Sequence, residues 1–218
     1  ICYDQRGLGQ SEKPAADYTM AEYADDAAAL LDHLQIDQIP VMGVSFGGMV
    51  AQEFALRHPS RVKHMVLACT SSGGVGHPSY PLHELELLEE NARAKKHLQI
   101  SDTRRDDAWI NENPERWEKL MGYGLAGRAA QRDPVGALKQ LEARKYHDTY
   151  IRLPELKMPI LLVGGRYDGI APVANMQALD AQLANSELRL FDGGHLFLVQ
   201  DKQAYPEIVS WLQQQSAT

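Results

Sequence analysis

A serine held between two glycines at the end of an apolar run is what most constrains this chain. Val41-Met42-Gly43-Val44-Ser45-Phe46-Gly47-Gly48 starts as a strand and resumes as a helix, Met49 to Arg57, with the spacing G-x-S-x-G. A hydroxyl reacts only when it is exposed and oriented. A sharp strand-to-helix turn does both by forcing the serine into a strained backbone conformation, and Gly43 and Gly47 are expected to let the helix start pass close to the strand end. Ordinary strand-glycine-helix connections share this spacing, so reading Ser45 as a nucleophile depends on partners elsewhere.

Those partners are a base and an acid that orients it, in the chain order serine, acid, histidine. Pro159 to Gly164 reads as a buried strand and runs into Gly165-Arg166-Tyr167-Asp168-Gly169. Leu188 to Phe191 is the next strand and opens into Asp192-Gly193-Gly194-His195. Three polar candidates thus follow three apolar strands, at the sheet edge where open α/β proteins place their chemistry. Asp192 rivals Asp168 as the acid. Asp168 is favoured because it sits one strand earlier and can approach the imidazole from the side away from Ser45, whereas Asp192 would cap its local turn.

The rest of the chain sets these residues in an α/β fold: a mostly parallel sheet covered by helices, with a helical cap inserted. Ile1 to Tyr3 reads as the tail of a strand entering the turn Asp4-Gln5-Arg6-Gly7-Leu8-Gly9-Gln10-Ser11. Thr19 and Glu22 form a capping box before a helix whose apolar face carries Met20, Tyr23, Ala27, Leu30, Leu31 and Leu34. Ile39 to Val44 and Val62 to Ala68 are strands around the Met49 helix. Alternation then lapses. From Gly73 to about Arg152 the pattern gives helices only, over Leu82 to His97, Asp106 to Met121 and Pro134 to Lys145, which is expected of a lid. The divisions are therefore 1–72 for the first part of the core, 73–152 for the cap and 153–218 for the second part, closed by a helix from about Ala204 through Leu212.

Charge supports that division. The chain has 22 basic and 29 acidic residues, a net −7, yet residues 73–152 hold 13 of each, so the flanks carry the whole imbalance. No basic run tracks a phosphate backbone, which argues against nucleic acid. No apolar stretch approaches the ~20 residues that span a bilayer. Cys2 and Cys69 both lie in strand-like apolar runs and are expected to be buried hydrophobes, not a disulfide framework. No two histidines stand within four positions of each other, so no metal site is expected. Gly122-Tyr123-Gly124-Leu125-Ala126-Gly127 matches G-x-G-x-x-G but follows a charged helical run instead of a strand. It is expected to be a flexible link between cap helices, and no cofactor is implied.

Asp4-Gln5-Arg6-Gly7-x-Gly9-x-Ser11, Gly43-Val44-Ser45-Phe46-Gly47-Gly48, Arg57-His58-Pro59-x-Arg61-Val62, Asp168 and Gly194-His195 together resemble the α/β-hydrolase superfamily. The likeness is to its esterase and lactonase branch, with 3-oxoadipate enol-lactonases and cofactor-free haloperoxidase-like enzymes. The resemblance covers both flanks, and the cap only in position and helical character. It implies Ser45 as nucleophile, His195 as base, Asp168 as orienting acid and the Phe46 backbone amide as one oxyanion donor. The expected activity is hydrolysis of a small carboxylic ester or lactone through an acyl-enzyme, in the cytoplasm. The same three residues would also serve a C-C bond hydrolase, a thioesterase or a perhydrolase. A proline-iminopeptidase-like peptidase and a non-catalytic receptor on this fold are more distant readings. The resemblance also implies three strands, and a second oxyanion amide, upstream of Ile1. About 40 to 60 further residues, or a partner segment, are expected to supply them.

Overall fold

The computed structural model describes residues 1–129 and 134–216. Its framework is four parallel strands in the order β1 (Ile39–Val44), β2 (Val62–Ala68), β3 (Ile160–Gly165) and β4 (Ser186–Phe191). Each crossover passes through helical structure, as parallel pairing requires. The end of β2 shows why an apolar run forms there: Met65 and Leu67 face one side of the sheet, Val66 and Ala68 the other, and both sides are covered. α1 (Met20–His33), α2 (Phe46–Arg57) and α7 (Val173–Gln182) pack on the Met65 side. On the Val66 side, α8 (Phe197–Gln200) and α9 (Ala204–Ser216) bury Phe197, Ile208 and Trp211. The capping box forms as expected, Thr19 accepting from the Glu22 amide at 3.2 Å and Glu22 from the Thr19 amide at 2.9 Å. Arg6 then ties the Asp4–Ser11 turn to α1 through Asp26, at 2.6 and 2.7 Å.

Ile1 to Tyr3 is not a strand. It lies exposed, and Cys2 is exposed with it. Extended backbone becomes a strand only against a hydrogen-bonding neighbour. Among the described residues the nearest sheet edge is the free side of β1, across a cleft of about 200 Å³ lined by Ile1, Tyr3, Ile39 and Val41. Met42 and Val44 on that edge are 37% and 41% exposed.

Residues 73–152 carry α3 (Glu90–Ser101), α4 (Asp107–Glu112), α5 (Pro114–Ala129) and α6 (Pro134–Lys145), with no strand among their described residues. Two expected helices are broken. Leu82–Leu87 is a separate 3-10 segment, and Asn113 ends α4 because Pro114 disfavours helical geometry in the residue before it. The expected link Gly122 to Gly127 lies wholly inside α5. A β-carbon at Gly122 or Gly127 would meet nothing within 4 Å, so neither glycine is required there; contact between α5 and α3 elsewhere along the helix offsets their cost of about 1 kcal/mol each, and helical hydrogen bonding leaves no amides to cradle a phosphate. The segment's two ends meet: Gly73 bridges Asp148, and the Thr149 amide donates to Ser72 O at 2.8 Å. No helix among the described residues is long and apolar enough to cross a membrane.

His147 sits at this closure, buried, with Nε2 3.2 Å from Ser71 O and no partner for Nδ1 among the described residues. Burial pulls its pKa down to about 4. The depressed value means the unfolded chain binds more protons below pH 6.5, so stability is complete above that pH and is lost as pH falls toward 4. Between pH 7 and 5 this one group should cost about 2 kcal/mol. Urea unfolding at the two pH values should show a smaller drop for His147→Gln; an equal drop would assign the acid sensitivity elsewhere.

Candidate active site

The turn after β1 is as tight as its sequence requires. Ser45 has φ 53° and ψ −116°, a conformation that side chains avoid and that persists only where the surroundings enforce it. The Ser45 amide donates to Ala68 O at 2.8 Å, and its carbonyl accepts from Thr70 Oγ1 at 2.8 Å and from the Gly48 amide at 2.9 Å. A β-carbon on Gly43 would sit 2.7 Å from Gly48 Cα, and one on Gly48 would sit 2.7 Å from Thr70 Cβ. Gly47 was expected to be the second steric requirement, but a β-carbon there meets nothing within 4 Å. Close approach is needed one residue later, where α2 passes the end of β2.

Parallel register brings the other two residues to the same sheet edge. Val44 pairs with Ala68, Ala68 with Val163 and Gly165 with Phe191, so the loops carrying Ser45, Asp168 and His195 all leave from one side. His195 Nε2 lies 2.9 Å from Ser45 Oγ, and Nδ1 lies 2.8 Å from Asp168 Oδ2. The Asp168 side chain is wholly buried, and its other oxygen accepts from the Ile170 and Ala171 amides at 2.8 and 2.9 Å. A carboxylate facing Nδ1 fixes that nitrogen as the protonated one and leaves Nε2 free to accept from the serine hydroxyl. Asp192 takes no part. Its exposed carboxylate pairs with Arg104 at 3.3 Å instead of capping a turn.

The α/β-hydrolase fold model matches residues 1–133 of this sequence. The chain belongs to the α/β-hydrolase family. This hydrolase is 32% identical over 216 residues to a poly(3-hydroxyalkanoate) depolymerase of Ectopseudomonas oleovorans, covering 99% of the chain and 75% of that protein. It is 30% identical over 209 residues to 3-oxoadipate enol-lactonase 2 of Acinetobacter baylyi, covering 96% and 76%. Among solved structures it resembles Est816, described as an N-acyl homoserine lactone degrading enzyme, at 27% identity and a TM-score of 0.75, over 95% of this chain and 80% of that one.

Two supports of the hydrolase site lie outside the sequence reading, and the first carries no sequence signal at all. The end of α3 braces both working loops through main-chain atoms: Ile100 O accepts from the Gly169 amide at 2.8 Å, and Ser101 O from the His195 amide at 2.7 Å. Beneath the elbow, Gln52 donates to Gly48 O and Ser71 O, both at 3.1 Å, and accepts from Thr149 Oγ1 at 2.6 Å. A buried glutamine within the apolar run of α2 was a visible anomaly that could have flagged this brace.

Cys69, at the end of β2, joins Asp168 and His195 in a cluster whose ligand-type atoms lie within 4.8 Å of one another. The three do not suit a metal. Burial first, then the charge of Asp168, raise the Cys69 thiol far above its ordinary pKa, so it stays protonated, and Asp168 is already committed to three N–H donors.

Proposed function

We propose that this chain is a serine hydrolase that cleaves a small carboxylic ester or lactone through an acyl-enzyme. The observation that carries the reading is the row Ser45–His195–Asp168, in which one imidazole touches both the hydroxyl and the buried carboxylate. In the proposed cycle His195 Nε2 takes the Ser45 proton while Oγ attacks the substrate carbonyl, and the negative charge moves to the carbonyl oxygen. The Phe46 N–H is free to meet that charge. It is the first amide of α2 and has no backbone acceptor among the described residues. Collapse expels the alcohol, which takes the proton from His195. Water then attacks the acyl group with His195 again as base, releasing the acid and restoring Ser45.

The names of those three relatives support the ester or lactone reading, two naming lactones and the third a poly(3-hydroxyalkanoate), while a 2-hydroxymuconate semialdehyde hydrolase of Pseudomonas, 29% identical, keeps C-C bond cleavage as the alternative. No cofactor enters this cycle. A cytoplasmic location and a small-molecule substrate belong to the same proposal. Purified protein should hydrolyse short p-nitrophenyl esters and acidify lactone solutions in a pH-stat, and a fluorophosphonate probe should label Ser45 stoichiometrically. Equal turnover by wild type and Ser45→Ala, with no labelling, would end the reading.

A further inference from the structure

Arg144 lies in the last turn of α6, nine-tenths buried, without the partner that buried arginines require. Its Nη1 donates to Tyr80 O at 2.8 Å and its Nη2 to Ser79 Oγ at 2.7 Å, both neutral acceptors. No carboxylate among the described residues pairs with it. Arg6, Arg57, Arg104 and Arg152, by contrast, each hold a carboxylate within 3.0 Å. Burial alone lowers the Arg144 pKa, to about 10, so the side chain is still cationic at neutral pH. A desolvated charge is costly unless an opposite charge meets it, and the described residues supply none.

Its position tells where that charge would come from. Ala143, the preceding residue, belongs to the buried cluster against which Phe46 packs, and Gln140, one turn earlier, lines a cleft of about 510 Å³ in the cap segment. Tyr80, whose carbonyl binds Arg144, donates its amide to Ile170 O at 2.7 Å, and the Ile170 amide holds Asp168. Arg144 thus lies next in sequence to the cluster on which Phe46 packs, one turn from the cap cleft, and joined through Tyr80 to the acid loop. Arg93, which lines the cleft, is already paired with Glu86 at 3.1 Å.

We propose that Arg144 forms an anion subsite that receives a carboxylate carried by the substrate away from its scissile bond. A planar guanidinium suits a carboxylate's two oxygens, and recognising one charged end would fix which way the ester lies over Ser45. The proposal rests on the serine hydrolase reading, and its test separates the two. Hydrolysis of p-nitrophenyl heptanoate is compared with that of mono-p-nitrophenyl pimelate, which has the same acyl length and a terminal carboxylate. Wild type should favour the pimelate ester through KM. In Arg144→Gln the pimelate KM should rise about 10- to 100-fold, the range for losing a hydrogen bond to a charged group, while the heptanoate values hold. Arg144→Lys, which keeps the charge, should lose less and covers the case in which the glutamine variant does not fold. Equal losses on both esters, or no preference in wild type, would overturn the subsite and leave Arg144 as a structural brace. If wild type turns over neither ester, it is the hydrolase reading that fails. Calorimetric titration with pimelate then decides the subsite alone: binding abolished in Arg144→Gln supports it, and unchanged or absent binding refutes it.

Discussion

Ser45→Ala and His195→Ala are each expected to lower kcat by about 10⁴- to 10⁶-fold, and the double variant should lose little more. The reason is geometric. With Oγ 2.9 Å from Nε2, every proton transfer proposed for the imidazole serves the making or breaking of the Ser45 acyl bond, so once either partner is gone the other has nothing to act on. Residual turnover would come from binding and from the Phe46 amide, which neither substitution removes. Losses that multiply in the double variant would mean that Ser45 and His195 work independently, and the covalent mechanism would have to be abandoned. Both variants should keep the wild-type unfolding midpoint within a degree or two, since neither side chain belongs to the sheet core on either face.

Why the site was legible while parts of its support were not follows from where each signal resides. Ser45, Asp168 and His195 each follow a strand rich in apolar residues, and such a run broken by glycine marks a strand end without knowledge of its neighbours. The carbonyls of Ile100 and Ser101, which hold the Asp168 and His195 loops, belong to the main chain and would be there whatever residues occupied α3. The Gly122–Gly127 stretch misled for the opposite reason: glycine argues locally for a break, and contact with α3 overrides it. Ile1 to Tyr3 failed because a strand is a property of a pair. The apolar residues suggest a strand, but their backbone pairs with no strand among the described residues. Gly47 and Gly48 were confused because both are adjacent to the turn, and only coordinates show which one faces Thr70.

Asp168→Asn should lower kcat by about 10⁴-fold, and the hydrogen bonds around it show why no rearrangement rescues it. Oδ1 accepts from two amides, those of Ile170 and Ala171, while Oδ2 faces His195 Nδ1. An asparagine that keeps its oxygen on the two amides must turn its NH₂ toward Nδ1. The imidazole then accepts at Nδ1 and carries its proton on Nε2, which points a donor at Ser45 Oγ where an acceptor is needed. The flipped amide preserves the imidazole tautomer but sets NH₂ against two buried N–H groups, leaving several donors without acceptors at about 1–3 kcal/mol each. The first arrangement is therefore the stable one, and it is inactive. The variant should fold, bind substrate with little change in KM and react slowly with a fluorophosphonate. Asp192→Asn is the control: its carboxylate is 70% exposed and reaches only Arg104, so turnover should hardly change. Should Asp192→Asn prove the more damaging of the two, the acid must reach His195 from the other side of the loop, in a geometry different from the one these hydrogen bonds define.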